Sequence, residues 1–142
     1  MLKLALAMVV LTTQLTAPGG GLPQILKPDY KQAAVKAGQK ADVTVSFNIL
    51  NGYAINRTPP MSLKLTEVPG LTLTKTDFTT PSEDPKSKDE YYVELPTIKV
   101  PVSAAKAGKY EIPGKLVYFF CSKADGFCSR QVIDVKVPVN VQ

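Results

Sequence analysis

Apolar and polar residues alternate along most of this chain with a period of two. Val43, Val45, Phe47 and Ile49 alternate with Asp42, Thr44, Ser46 and Asn48. That pattern buries one face of a strand and wets the other. The same period returns near the end of the chain in Ile133, Val135, Val137, Val139 and Val141. Leu63 and Leu65 alternate with Lys64 and Thr66, and Leu71 and Leu73 follow across Pro69-Gly70. The spacing predicts that these two short runs pair as a hairpin. Further strands are predicted over 30–35, 91–102, 110–120 and 128–141, with Pro96 and Pro101 confining the second of these to edges or bends. Turns fall at 36–39, Asn51-Gly52 and Ala107-Gly108. Residues 21–28 read as a tether and 53–60 as a loop. The stretch 75–90 has no periodicity, and a loop of that length is usually functional or mobile. Seven or eight short strands without an amphipathic helix predict an all-β fold, an immunoglobulin-like antiparallel β-sandwich, with a small barrel as the second architecture.

Composition adds a compartment. Met1-Leu2-Lys3, an apolar run over 4–11 and Pro18-Gly19-Gly20-Gly21 have the form of a secretory signal peptide. We read 1–20 as that peptide, cleaved near 17–21, and 21–142 as a single domain in the periplasm or outside the cell. No other stretch is long and apolar enough to cross a membrane. The net charge of +5 comes from scattered lysines, with no basic stripe interleaved with aromatics, so no nucleic-acid partner is expected. A monomer is expected.

The chemistry available is narrow. There is no histidine, which removes Ser-His-Asp and Cys-His catalysis and the usual zinc and copper sites. No glycine-rich phosphate loop stands between a strand and a helix. No metal and no cofactor are expected. The acidic pairs Glu83-Asp84 and Asp89-Glu90 read as solvated charge. Asn56-Arg57-Thr58 matches a glycosylation sequon, but Pro59 follows it, and we read the match as chance.

That leaves Cys121 and Cys128, the two cysteines of the chain, with six residues between them. An apolar strand leads into the first and an alternating strand leads out of the second. Asp125-Gly126 between them reads as a hairpin turn. A two-residue turn there would pair Cys121 with Arg130 and Cys128 with Lys123. A six-residue loop would set the cysteines opposite each other, within bridging range, and is the reading we favour. The bond would stabilise the fold by roughly 2–3 kcal/mol in the chain-entropy model, help that a chain of this length does not require. A static staple and a working redox pair therefore both remain open. Lys123 and Arg130 would favour a thiolate. Phe127, Phe119 and Phe120 could shield the sulfurs. Cys121, at the end of the apolar strand, is expected to be the more enclosed, and Cys128 the more reachable.

The closing hairpin, from Leu116-Val117-Tyr118-Phe119-Phe120-Cys121 through Asp125-Gly126-Phe127-Cys128, resembles that of the amino-terminal domain of DsbD-type thiol–disulfide interchange proteins. Gly52-Tyr53 followed by a proline-bearing loop is a second point of likeness, and the order short hairpin, polar loop with an aromatic, long strand is a third. The likeness spans about 43–141. It implies a stand-alone, immunoglobulin-like periplasmic domain that takes electrons from a thioredoxin-like protein and passes them to oxidised exported proteins. It implies a thiol:disulfide oxidoreductase in which Cys128 attacks and Cys121 resolves. It also implies an aromatic cap over the cysteines, carried by the 75–90 loop, with Phe78 as the cap residue and Tyr53 and Phe127 as further shielding. The other function we carry is a non-catalytic exported β-sandwich, a binding or structural module with an inert disulfide.

Overall fold

The computed structural model describes residues 21–142, so the predicted signal peptide lies outside the described residues. Those residues form nine strands and no helix: β1 (Leu26–Gln32), β2 (Lys40–Ile49), β3 (Tyr53–Ile55), β4 (Ser62–Leu65), β5 (Leu71–Leu73), β6 (Asp77–Thr79), β7 (Ile98–Ala104), β8 (Gly108–Ser122) and β9 (Cys128–Val141). With no helix described, none is long and apolar enough to cross a membrane. Two antiparallel sheets pack face to face. One has the order β1-β2-β7-β5, and the other runs β3-β8-β4-β6 with β9 on the opposite edge of β8. The first order matches the four-stranded sheet of an immunoglobulin domain, so the predicted sandwich is the observed one.

The two clearest alternations form strands as predicted. In β9, Ile133, Val135, Val137, Val139 and Val141 are all buried while the residues between them are exposed. In β2, Val43 and Val45 are buried, but burial fades to half at Phe47, and Ile49 is exposed, because β2 outruns its neighbour β7. β8 is the longest strand and carries Ile112, Leu116, Tyr118 and Phe120 into the core. β9 flanks it from Gly108↔Val141 to Cys121↔Cys128. On its other side β4 and β3 lie end to end, pairing with its middle and its far end.

Five expectations are corrected. Residues 53–60 are not all loop, because Tyr53–Ile55 form β3 against the far end of β8. Residues 21–28 are not all tether: β1 begins at Leu26, and Ile25 and Leu26 are among the most buried side chains. β4 and β5 are not a hairpin: β4 pairs with β6 and β8 while β5 pairs with β7, so Pro69-Gly70 carries the chain from one sheet to the other. Both readings satisfy a period of two, and only packing distinguishes them. The 75–90 stretch contains β6, whose Phe78 is a core residue. The strand predicted over 91–102 begins only at Ile98; Tyr91 and Tyr92 instead line the edge of β3, where Tyr92 N–H donates to Ile55 O at 2.9 Å.

A buried polar cluster joins the sheets near the cysteine end. The Tyr118 hydroxyl on β8 accepts a hydrogen bond from Leu26 N–H at 3.0 Å and donates to the Gln131 side chain on β9. Gln131 Oε1 also accepts from Ile25 N–H at 3.0 Å, and its amide donates to Pro23 O at 2.9 Å. Burial raises the Tyr118 pKa, so the hydroxyl stays protonated and keeps its donor. Tyr118→Phe should therefore cost about 1–3 kcal/mol, because it leaves Leu26 N–H buried and unpaired. Urea unfolding checks this; a variant as stable as the parent would mean that β1 does not depend on the cluster.

Candidate functional site

β8 and β9 meet in register at the two cysteines. Ser122 N–H donates to Phe127 O at 2.6 Å, which makes that pair hydrogen-bonded and the next pair, Cys121 and Cys128, non-hydrogen-bonded. Side chains approach most closely at such positions. The sulfurs are bonded at 2.00 Å, with the α-carbons 4.0 Å apart. The loop is thus the six-residue one. Gly126 takes a φ of 67° there, a left-handed value that suits glycine. Lys123 N–H donates to Gly52 O at 2.8 Å and ties the loop to the turn before β3.

The alternation of β8 decides what surrounds the bond. Phe120 faces the core and is fully buried, so the next residue, Cys121, faces outward, as does Cys128. The disulfide lies on the outer face of its sheet rather than across the core. Cys121 is nevertheless only 4% exposed, whereas Cys128 is exposed. Ala54 of β3 lies beside Cys121 in register. Asp89 and Tyr91 cover it further, and a cavity of about 380 Å³ remains between them, Ser122 and Lys123. Asn56 Oδ1 lies 3.4 Å from Cys121 Sγ. Cys128 Sγ has only Gly126 O nearby, at 3.7 Å.

The shielding residues read from the sequence lie elsewhere. Phe78 pairs with Leu63, which pairs with Leu116, two strands across and five residues back from Cys121. It packs in the core beneath Lys75 and does not cap the cysteines. Tyr53 and Phe127 both pack edge-on against Phe120, at 5.7 Å and 6.5 Å between ring centres. By alternation they lie on the face opposite the sulfurs, where Tyr53 packs against the core and Phe127 stays 49% exposed at its rim. The 75–90 loop does reach the disulfide, but through Asp89 at its far end, with Tyr91 just beyond. Arg130 follows Cys128 by two and shares its face, while Lys123 borders the cavity. Among the described residues the ion pairs are Lys86–Glu94 and Lys115–Asp134, so neither Lys123 nor Arg130 is paired.

Two residues that hold this cover were not singled out from the sequence. Arg57 donates from Nε to Asp89 O at 3.0 Å and from Nη1 to Ser82 O at 3.1 Å. Asp84, read as solvated charge, is instead buried and accepts three backbone hydrogen bonds: from Lys86 N–H at 3.0 Å, Val93 N–H at 2.8 Å and Glu94 N–H at 3.1 Å. No periodicity marks either residue, because their partners are loop backbone groups. No group of acidic or cysteine side chains among the described residues could hold a metal ion. The chain matches no protein-family model and no curated protein sequence.

Two outcomes follow. The disulfide lies outside the core, so reduction should leave the sandwich folded and lower its stability by about 2–3 kcal/mol. Far-ultraviolet circular dichroism and urea melts with and without reductant check this, and unfolding on reduction would identify a staple. The Asp84 pKa lies below the usual carboxylate range, chiefly through the hydrogen bond from Glu94 N–H, with help from Val93, Lys86 and the Arg57 charge. A depressed pKa contributes stability that is present above the ordinary value of about 3.9 and is lost as pH falls through the folded value. Amide exchange at Val93 and Glu94, corrected for the intrinsic rate, should therefore accelerate only below that range. Asp84→Asn should remove this pH dependence; a pH dependence retained in that variant would assign it to another group.

Proposed function

We propose that this chain is an exported thiol–disulfide exchange domain whose redox pair is Cys121 and Cys128. The observation that carries the reading is the asymmetry of the bond. It lies on the outer face at one end of the sandwich, with one sulfur enclosed and the other at the surface. A disulfide that served only to hold the sheets together would join them across the core. This one joins neighbouring strands that an extensive ladder already holds.

The roles follow from the surroundings. In the reduced pair Cys121 is enclosed, and its S–H has an acceptor in Asn56 Oδ1, which favours the thiol. Cys128 is exposed beside the unpaired Arg130, which favours the thiolate. Cys128 attacks a partner disulfide, forms a mixed disulfide and releases the partner's other sulfur as a thiolate, which takes a proton from water. Cys121 then loses its proton and attacks Cys128 Sγ. The internal bond re-forms, and the partner leaves with its second sulfur as a thiol. Two electrons and two protons pass to the partner. A thioredoxin-like protein returns them in the periplasm by the reverse exchange. The resemblance of the closing hairpin to DsbD-type amino-terminal domains supports the same assignment of roles.

Equilibration with glutathione or dithiothreitol should place the reduction potential at roughly −120 to −270 mV; a potential well below about −300 mV would instead mark an inert structural bond. Cys121→Ser should accumulate a mixed disulfide through Cys128 with a thioredoxin-like protein, because attack proceeds and resolution is lost. Cys128→Ser should trap far less. Non-reducing gels and mass spectrometry of the linked peptides read the outcome, and equal trapping by both variants would overturn the roles.

A further inference from the structure

The free edge of β9 keeps unpaired backbone groups beside the disulfide, where Ile25 and Pro23 bond to the inward Gln131 side chain and not to the strand's backbone, and is closed farther along. β9 is the edge strand of its sheet. Since Ser122 N–H donates to Phe127 O, odd-numbered residues of β9 point their backbone groups at β8, and even-numbered ones point theirs away. Asn140 follows this rule, because both its N–H and its C=O bond to the Gln32 side chain. Pro138 has no N–H, and the Tyr30 hydroxyl lies against the Lys136 backbone. Those features blunt the far half of the edge, as edge strands generally require. Cys128, Arg130, Val132 and Asp134 remain, and their N–H groups donate to no other described residue.

The disulfide gives this opening a direction. Exchange at sulfur is an in-line displacement, with attacking, central and leaving sulfurs along one axis. Cys121 Sγ lies on the β8 side of Cys128. The other end of the axis therefore points over the free edge of β9. A strand added there would lie about 4.8 Å from β9. A residue opposite Cys128 would have its α-carbon about 5.5 Å away, within the range a disulfide can bridge. At this edge Arg130 is exposed and unpaired among the described residues, Val132 is 42% exposed, and the Asp134 carboxylate is neutralised by Lys115. Charge complementarity selects an acidic segment.

Resting on the exchange reading above, the geometry points to strand addition as the mode of partner recognition. An extended acidic segment of the partner, carrying the reacting cysteine, pairs with β9 at Arg130, Val132 and Asp134 and delivers its sulfur to Cys128. Main-chain hydrogen bonds supply the affinity and Arg130 the charge preference.

The test uses the Cys121→Ser chain and an acidic octapeptide with one central cysteine, carried as its thionitrobenzoate disulfide. Attack by Cys128 links the peptide and releases coloured thionitrobenzoate, so the second-order rate is read directly. The comparison is the same peptide with alternate backbone amides N-methylated, which cannot complete a ladder. The unmethylated peptide should react roughly tenfold faster, the effect of one or two net hydrogen bonds. In a Val132→Pro background that ratio should fall to about one. The substitution removes an N–H that faces away from β8, as Pro138 already does, and circular dichroism confirms the fold. In the linked complex the Arg130, Val132 and Asp134 amides should become protected from hydrogen exchange. Equal rates for the two peptides on the parent chain, or a ratio that persists in Val132→Pro, would overturn strand addition while leaving the exchange reading intact. Failure of Cys128 to react even with the small disulfide 5,5′-dithiobis(2-nitrobenzoate) would remove the exchange reading, and this inference with it.

Discussion

The ladder between β8 and β9 is the constraint on which the rest of the structure depends. It runs from Gly108↔Val141 to Cys121↔Cys128 without a break. Its register is held by packing, because a slip of one residue would turn Ile133, Val135, Val137, Val139 and Val141 out of the core at once. Each such side chain is worth about 1.5–3 kcal/mol when buried. That same register puts the cysteines opposite each other at a non-hydrogen-bonded position. The disulfide is thus a consequence of the pairing rather than its cause, which leaves its redox state free to serve another purpose.

The alternation that fills the core also makes the two faces of the hairpin end different. On the inner face Tyr53 and Phe127 pack edge-on against the buried Phe120. On the outer face, one residue away, lie the sulfurs, with Arg130 beside Cys128. Cys121 is enclosed because β3 continues the sheet past it on the side away from β9, and because Tyr91 extends that side further. Cys128 is open because β9 is an edge. The difference in access between two bonded sulfurs therefore comes from the order of strands in the sheet.

The cover over Cys121 rests on long-range loop contacts. Arg57, just after β3, holds the carbonyls of Ser82 and Asp89, and Asp84 gathers three backbone N–H groups from both arms of the same loop. Backbone groups that leave a sheet need partners when buried, and these two side chains supply them. The loop is thereby ordered without strand pairing of its own over most of its length. Asp89 and Tyr91 come to the cavity as part of that arrangement.

Period-two alternation was enough to establish the all-β class and β2 and β9 as strands. The meeting of the two cysteines at the end of a hairpin was the favoured of two readings, and the register of β8 and β9 decides for it. The local sequence also ranked Cys121 as enclosed and Cys128 as reachable, as they are, but the enclosure itself comes from the strand order and not from the flanking apolar run. Alternation says which faces are buried, but not which strand lies next to which. β4 and β5 therefore read as a hairpin although they lie in different sheets, and Phe78 read as a loop cap although it fills the core. Strand neighbours are chosen by packing between residues far apart in sequence, which a local pattern does not record. The same holds for Asp84 and Arg57, whose partners are backbone groups and carry no side-chain signature. Only the tertiary structure decided that the disulfide faces outward beside an open edge, because that depends on β8 being interior to its sheet and β9 being last.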